Sequence, residues 1–200
     1  INSLRQSLRM ARLELQERLR AEEKLQRQTQ YLTALHETAL GLVDHLEVRP
    51  LLETILTRAC QLVDTPHGML EMVMPDSSAL VQELGYGLFA QFNGNLVYKN
   101  SGVTGNVWAD GKTIVVQNYQ DWENNIPRYA SAGLCTVMGV PLKSGQVVIG
   151  VLALAHTEAG KTFTPEQQTL LERFAALASV ALDNARLYEQ AQKELQERRN

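Results

Sequence analysis

Apolar residues recur at alternating intervals of four and three through the first quarter of the chain. Leu4, Ala11, Arg18, Leu25, Leu32, Ala39 and Leu46 fall seven apart, with Leu8, Leu15, Glu22, Thr29, His36 and Val43 between them. This spacing predicts a coiled-coil helix whose seam includes Leu8, Leu15, Leu25 and Leu32. Arg18, Glu22, Thr29 and His36 put polar groups in the seam, which weakens a coil while fixing its register and partner. From Tyr31 the stripe widens to Leu32, Leu35, Ala39, Leu42, Val43 and Leu46, the broader face of a helix that packs on a body or in a bundle. The division expected is a signalling helix over 1–30, a globular domain over 31–190, and the start of an outgoing linker helix over 191–200.

Pro50 opens a second helix with Leu52, Ile55, Leu56, Ala59 and Val63 on one face, closed by the turn at Thr65–Gly68. The period then shortens to that of strands. Met69–Met74 and Leu80–Leu84 flank a Pro-Asp-Ser-Ser turn and read as a β-hairpin; Thr136–Leu142 and Val147–Ala155 flank Lys143-Ser144-Gly145-Gln146 and read as another. Between them, residues 85–133 are rich in glycine, asparagine and aromatics and lack a clean period, apart from a short strand at Thr113–Val116. A short helix is expected from about Val103. Thr164, Pro165 and Gln167 form a helix-start signal, and Leu170, Phe174, Leu177, Ala181, Asn184 and Tyr188 continue the helix at three- and four-residue steps.

Composition narrows the function classes. The 200 residues carry 44% hydrophobic and 20% charged residues and a formal charge of -3, so one good core fits and no strong field gathers nucleic acid or anionic lipid. Arginines and lysines near the start are interleaved with glutamates, as on a solvated helix. The apolar run Val147–Ala155 falls short of the ~18 residues of a membrane span, and no signal peptide opens the chain. Cys60 and Cys135 match neither a metal spacing nor a secreted framework, so they are expected to be free thiols in a cytoplasmic protein. The chain starts at Ile1 and both ends are charged helical sequence. It is expected to be a segment of a longer protein, whose other parts could include a membrane anchor.

Three stretches, SGVTGNVWADGKTIVVQNY from Ser101, CTVMGVPLKSGQVVIGVLAL from Cys135 and FTPEQQTLLERFAALASVALDNARLYEQ from Phe163, are similar to the GAF domain family over roughly Leu32 to Gln190. The resemblance implies an α+β fold, PAS-related, with an antiparallel sheet of about six strands and helices packed on one face. The first and last helices are expected to join a dimeric helical bundle. Packing logic agrees, since a sheet with an apolar face needs a helix layer and both chain ends supply matching stripes. The implied role is a sensor in a multidomain signalling protein, a parallel homodimer with a small molecule under a lid formed by the middle section. A histidine kinase of a two-component system or a nucleotide cyclase is the implied output.

Trp108, Tyr119, Asp121, Trp122 and Tyr129 are the candidate ligand-binding residues, because pockets combine apolar walls with a few polar groups. The same aromatics could simply fill space beneath a long loop. Leu177, Ala181 and Tyr188 join the coil leucines as candidate dimer contacts. The cyclic-nucleotide signature of the family is altered in HTEAGKTFTPEQQ, where His156 replaces its asparagine and Gln167 and Gln168 its acidic pair. Neither cysteine has the context of a bilin attachment site, so no covalent chromophore is expected. A methionine sulfoxide reductase-like activity would need cysteines that meet around the pocket, and the expected state is two buried thiols. His36, His45, His67 and His156 share no metal-ligand spacing. No catalytic residue and no metal are expected. The remaining alternative is a ligand-free dimerisation and relay module.

Overall fold

The computed structural model describes residues 48–197. The 1–30 helix, with Leu8, Leu15 and Leu25, lies outside the described residues, as do Leu32, His36 and His45. Helix α1 covers Val48–Leu62 and buries Leu51, Leu52, Ile55, Leu56, Ala59 and Cys60. Strands β1 (His67–Val73) and β2 (Leu80–Tyr86) form the first hairpin, followed by a 3-10 helix at Gly87–Phe92 and the two-residue strand β3 (Leu96–Val97). Helix α2 (Gly102–Asp110), β4 (Ile114–Val116) and the single-turn α3 (Pro127–Ala130) fill the middle section. The second hairpin, β5 (Thr136–Ser144) and β6 (Val147–His156), leads into helix α4 (Pro165–Glu197).

Six strands make one sheet in the order β3-β2-β1-β6-β5-β4, with every pair antiparallel. The central strands are buried on both faces, so their sequences read as apolar runs rather than a clean alternation. On β1, Leu70 and Met72 face the helix layer, while Met69 and Val73 belong to the opposite cluster. On β6, Leu152 and Leu154 face the helices, and Val151, Ala153 and Ala155 face away. Strand β3 and the 3-10 turn leave no periodic trace in the sequence because each is too short to show one.

Helices α1 and α4 cover one sheet face together. The α4 start is a reciprocal capping box: the Thr164 amide donates to Gln167 Oε1 at 2.9 Å, and the Gln167 amide donates to Thr164 Oγ1 at 3.2 Å. Gln167 Nε2 also donates to the Val63 carbonyl at 3.3 Å, tying the start of α4 to the end of α1. At the other end, the Val48 amide donates to Glu189 Oε1 at 3.1 Å, which sets a carboxylate at the amide-rich start of α1. The Ser179 hydroxyl accepts the Lys143 amide at 2.9 Å and so joins α4 to β5.

Of the α4 positions expected at a dimer contact, Leu177 and Tyr188 are exposed, together with Val180, Leu187 and Leu195. Ala181 is half-buried against the helix-side core of its own domain. Among the described residues, no helix is long and apolar enough to cross a membrane.

Candidate ligand site

The second sheet face is closed by the 3-10 helix, α2, α3 and the loop that carries Tyr119 and Trp122. Phe89, Val97, Val103, Val107, Trp108, Tyr119, Tyr129 and Leu134 pack there against Met69, Leu80, Val137 and Val151. Helix α2 approaches the sheet closely because β5 has Gly139 beneath it. A Cβ at that position would come within 2.9 Å of Val103 and 3.0 Å of Val107. Gly102 begins α2 at φ +62°, and a Cβ there would stand 2.6 Å from Ile126 Cδ1. The lid loop thus rests directly on a glycine that also needs the left-handed conformation.

The lid is pinned by polar contacts at the start of β5 and within its own loop. The Tyr119 amide donates to the Cys135 carbonyl at 2.8 Å, the Tyr119 hydroxyl accepts the Ile126 amide at 2.9 Å, and Thr136 Oγ1 donates to the Gln117 carbonyl at 3.2 Å. Tyr129 is wedged edge-on between Phe89 and Phe92, at centroid distances of 5.6 and 5.0 Å. Arg128 lies over the Tyr129 ring at 5.0 Å and reaches the Leu96 carbonyl at 3.2 Å, while Lys99 stands 4.7 Å from the Trp108 ring.

The structure therefore gathers four of the five candidate residues. Trp108, Tyr119 and Tyr129 are buried in the lid core, and half-buried Trp122 packs on Tyr119 at 6.0 Å. Asp121 is not among them: it is exposed, and accepts a hydrogen bond from Asn118 Nδ2 at 2.6 Å in a local turn.

Beneath the lid lies a polar group that the sequence pattern did not single out. Glu71 is fully buried on β1, pointing with Met69 and Val73 into the lid layer, and neither of its carboxyl oxygens has a hydrogen-bond partner. Burial pushes its carboxyl up to about 7, a rise that the neighbouring Thr104 hydroxyl and the charge of Arg128 oppose but do not overcome. Gln82 and Thr104 are buried beside the same layer. Gln82 is satisfied: Nε2 donates to the Phe89 carbonyl at 2.8 Å and to Asn93 Oδ1 at 3.0 Å, and Oε1 lies 3.5 Å from the Tyr129 hydroxyl. Burial and the Glu71 charge raise the Tyr129 phenol to about 12, so it remains a donor. The signal that could have found Glu71 is the lone carboxylate within HGMLEMV, a strand otherwise apolar on both faces.

Cys60 is buried under the helices and desolvation pushes its thiol up to about 11, while Cys135 is only half-buried, contrary to the expectation of two buried thiols. His156 stacks on Phe163 at 4.5 Å, and burial lowers its pKa. His67 accepts the Leu88 amide at 3.2 Å through Nδ1.

The family model for the GAF domain matches residues 45–183. The chain belongs to the GAF domain family. Solved structures agree on the GAF fold. The GAF domain of an Acinetobacter phosphoenolpyruvate-protein phosphotransferase aligns with a TM-score of 0.70 at 15% identity, covering 80% of this chain and 98% of that one. The free methionine-R-sulfoxide reductase from Neisseria meningitidis, in complex with its substrate, aligns at 0.65 and 21% identity, covering 78% and 90%. The GAF-B domain of DevS from Mycobacterium smegmatis aligns at 0.57 and 17% identity, covering 76% and 99%.

Proposed function

We propose that this GAF domain is the sensory module of a larger signalling protein. It binds a small molecule between sheet and lid and passes the state of the lid to helix α4 across a parallel homodimer. The observation that carries this reading is the unpartnered Glu71 carboxyl beneath the lid. An apolar layer built only for packing gains nothing from a buried carboxyl, which costs stability when nothing pairs with it. The Neisseria relative, crystallised with its substrate, is a precedent for small-molecule binding on this fold.

The route to the output is short. Tyr119 and Gln117 hold the lid to Cys135 and Thr136 at the start of β5, and the far end of β5 holds α4 through Ser179. A ligand that prefers one lid arrangement shifts the packing of α4 by its differential affinity for the two states. The exposed Leu177, Val180, Leu187, Tyr188 and Leu195 supply an apolar stripe for the twin helix of a second copy. We read the domain as non-catalytic, since the Cys60 thiol is held far from its thiolate form. Both described cysteines are free, which fits a reducing cytoplasm. A histidine kinase or nucleotide cyclase is the output we expect beyond α4.

The tight packing of Tyr129 between Phe89 and Phe92 favours a second reading, a ligand-free dimerisation relay whose lid never opens. Thermal denaturation separates the two. Purine nucleotides, cyclic nucleotides, amino acids, amines and small anions are added in turn, and any that binds the native state raises the melting point by mass action. A flat response across the whole set would leave only the relay.

A further inference from the structure

The groups around Glu71 define the chemistry that could complete it. The Thr104 hydroxyl beside Glu71 has a single proton and can serve one carboxyl oxygen at most, and the other donors nearby are already committed: Gln82 Nε2 to Phe89 and Asn93, the Ile126 amide to Tyr119, and the Arg128 guanidinium to Leu96 on the outer side of Tyr129. Tyr119 and Tyr129 belong to the same buried layer, and aromatic rings attract cations. A phosphate, nucleotide or carboxylate would meet a like charge at Glu71, where the charge of the exposed Arg128 acts but does not overcome the effect of burial. We propose that the lid site takes a small organic cation, a primary ammonium or amidinium group that donates N–H hydrogen bonds to the Glu71 carboxylate. The inference rests on the reading of the lid as a ligand site and adds the charge and donor pattern of the ligand.

The pairing resembles other charge-assisted contacts. An ammonium or amidinium supplies two or more N–H donors, the planar amidinium matches both oxygens at once, and burial strengthens the attraction once both charges are paired. The pair forms between Glu71 as carboxylate and the ligand as cation; where Glu71 holds a proton beforehand, that proton leaves to solvent on binding.

The test uses the 200-residue chain with four probes of similar size: ethylammonium, acetamidinium, acetamide and acetate. Melting point and the fluorescence of Trp108 and Trp122 are followed during titration. The expected result is a saturable rise in melting point with the two cations alone, weakened roughly ten- to a hundredfold by Glu71→Gln, which keeps the shape and removes the charge. Equal cation affinity in Glu71→Gln overturns the inference, as does the failure of either cation to bind. Binding of acetamide or acetate without the cations also overturns it, while leaving the ligand site standing; silence from all four, together with the broader ligand set, removes both. Should Glu71→Gln fail to fold, the carboxyl carbon of Glu71, labelled with carbon-13 in the unaltered chain, separates the same outcomes. Its resonance moves on adding ethylammonium if the pair forms, and stays fixed if the inference is wrong.

Discussion

Glu71 and Gln82 stand opposite each other in the β1–β2 ladder only because the register slips between Leu70 and Glu71. The preceding pairs, Met69 with Gly85 and Leu70 with Leu84, would otherwise set Glu71 against Glu83. Two carboxylates directly opposed, one of them buried, would repel strongly. The bulge sends Glu83 to solvent and brings the neutral Gln82 into the lid layer instead. Gln82 then anchors the 3-10 helix and Tyr129, and Glu71 is left with unused acceptors.

The raised pKa of Glu71 makes a signed prediction about pH. In the unfolded chain the carboxyl ionises near its ordinary value of 4.5, and in the folded domain near 7. Between these values the unfolded state holds fewer protons, so stability falls as pH rises from about 4.5 to 7 and is level above. At ~1.4 kcal/mol per unit the loss is on the order of 3 kcal/mol. His67 and His156 act in the opposite sense, because burial lowers their pKa values and stability from them is lost as pH falls through the region just below 6.5. Glu71→Gln retains both histidines, so the difference between the two proteins isolates the carboxyl. Urea denaturation at pH 5 and pH 8 should show the variant gaining on the parent at the higher pH; parallel curves would contradict the assignment.

Gly102→Ala addresses the lid. The new methyl group meets Ile126, and alanine is strained at φ +62°, so a loss of about 1–3 kcal/mol is expected. Acrylamide quenching of tryptophan fluorescence should increase as the loop carrying half-buried Trp122 is displaced. Unchanged quenching with reduced stability would mean that the strain stays within α2.

Thr164→Ala removes one half of the capping box that starts α4. A cost of about 0.5–2 kcal/mol is expected in chemical denaturation, and Thr164→Asp, which keeps an acceptor, should restore most of it. If alanine and aspartate behaved alike, the 3.2 Å contact from the Gln167 amide would not be contributing to stability.

Leu187→Lys tests the dimer stripe. Leu187 is 65% exposed, so its replacement should leave the melting of the domain core within ~0.5 kcal/mol of the parent. Sedimentation equilibrium should nevertheless show a shift from dimer towards monomer. A monomeric parent, or an undiminished dimer in the variant, would remove this part of α4 from the interface.

Much of the fold was legible from local pattern. The hairpins around Pro75 and Gly145, the capped start of α4 and the apolar face of α1 each write a period or a turn signal into a short window of sequence, and each forms where that signal lies. The aromatic content of the lid was legible as well, since residues 85–133 hold the rings and lack a period. The site itself was legible only in part. Asp121 stands next to Trp122 in sequence, yet neighbours along a loop need not face the same way, and its carboxylate turns outward to Asn118.

The chain order of polar and apolar residues by itself determined the longer helices and strands, that a helix layer must cover one face of the sheet, and that the middle must close its other face. Only the tertiary structure decided what lies beneath that closure. Whether the carboxylate of Glu71 meets water, a partner or an apolar wall depends on a one-residue slip in the β1–β2 ladder and on α2 settling onto Gly139. Those are relations between residues distant in sequence, and the energy of a buried charge is set by what surrounds it in space, which no local period records.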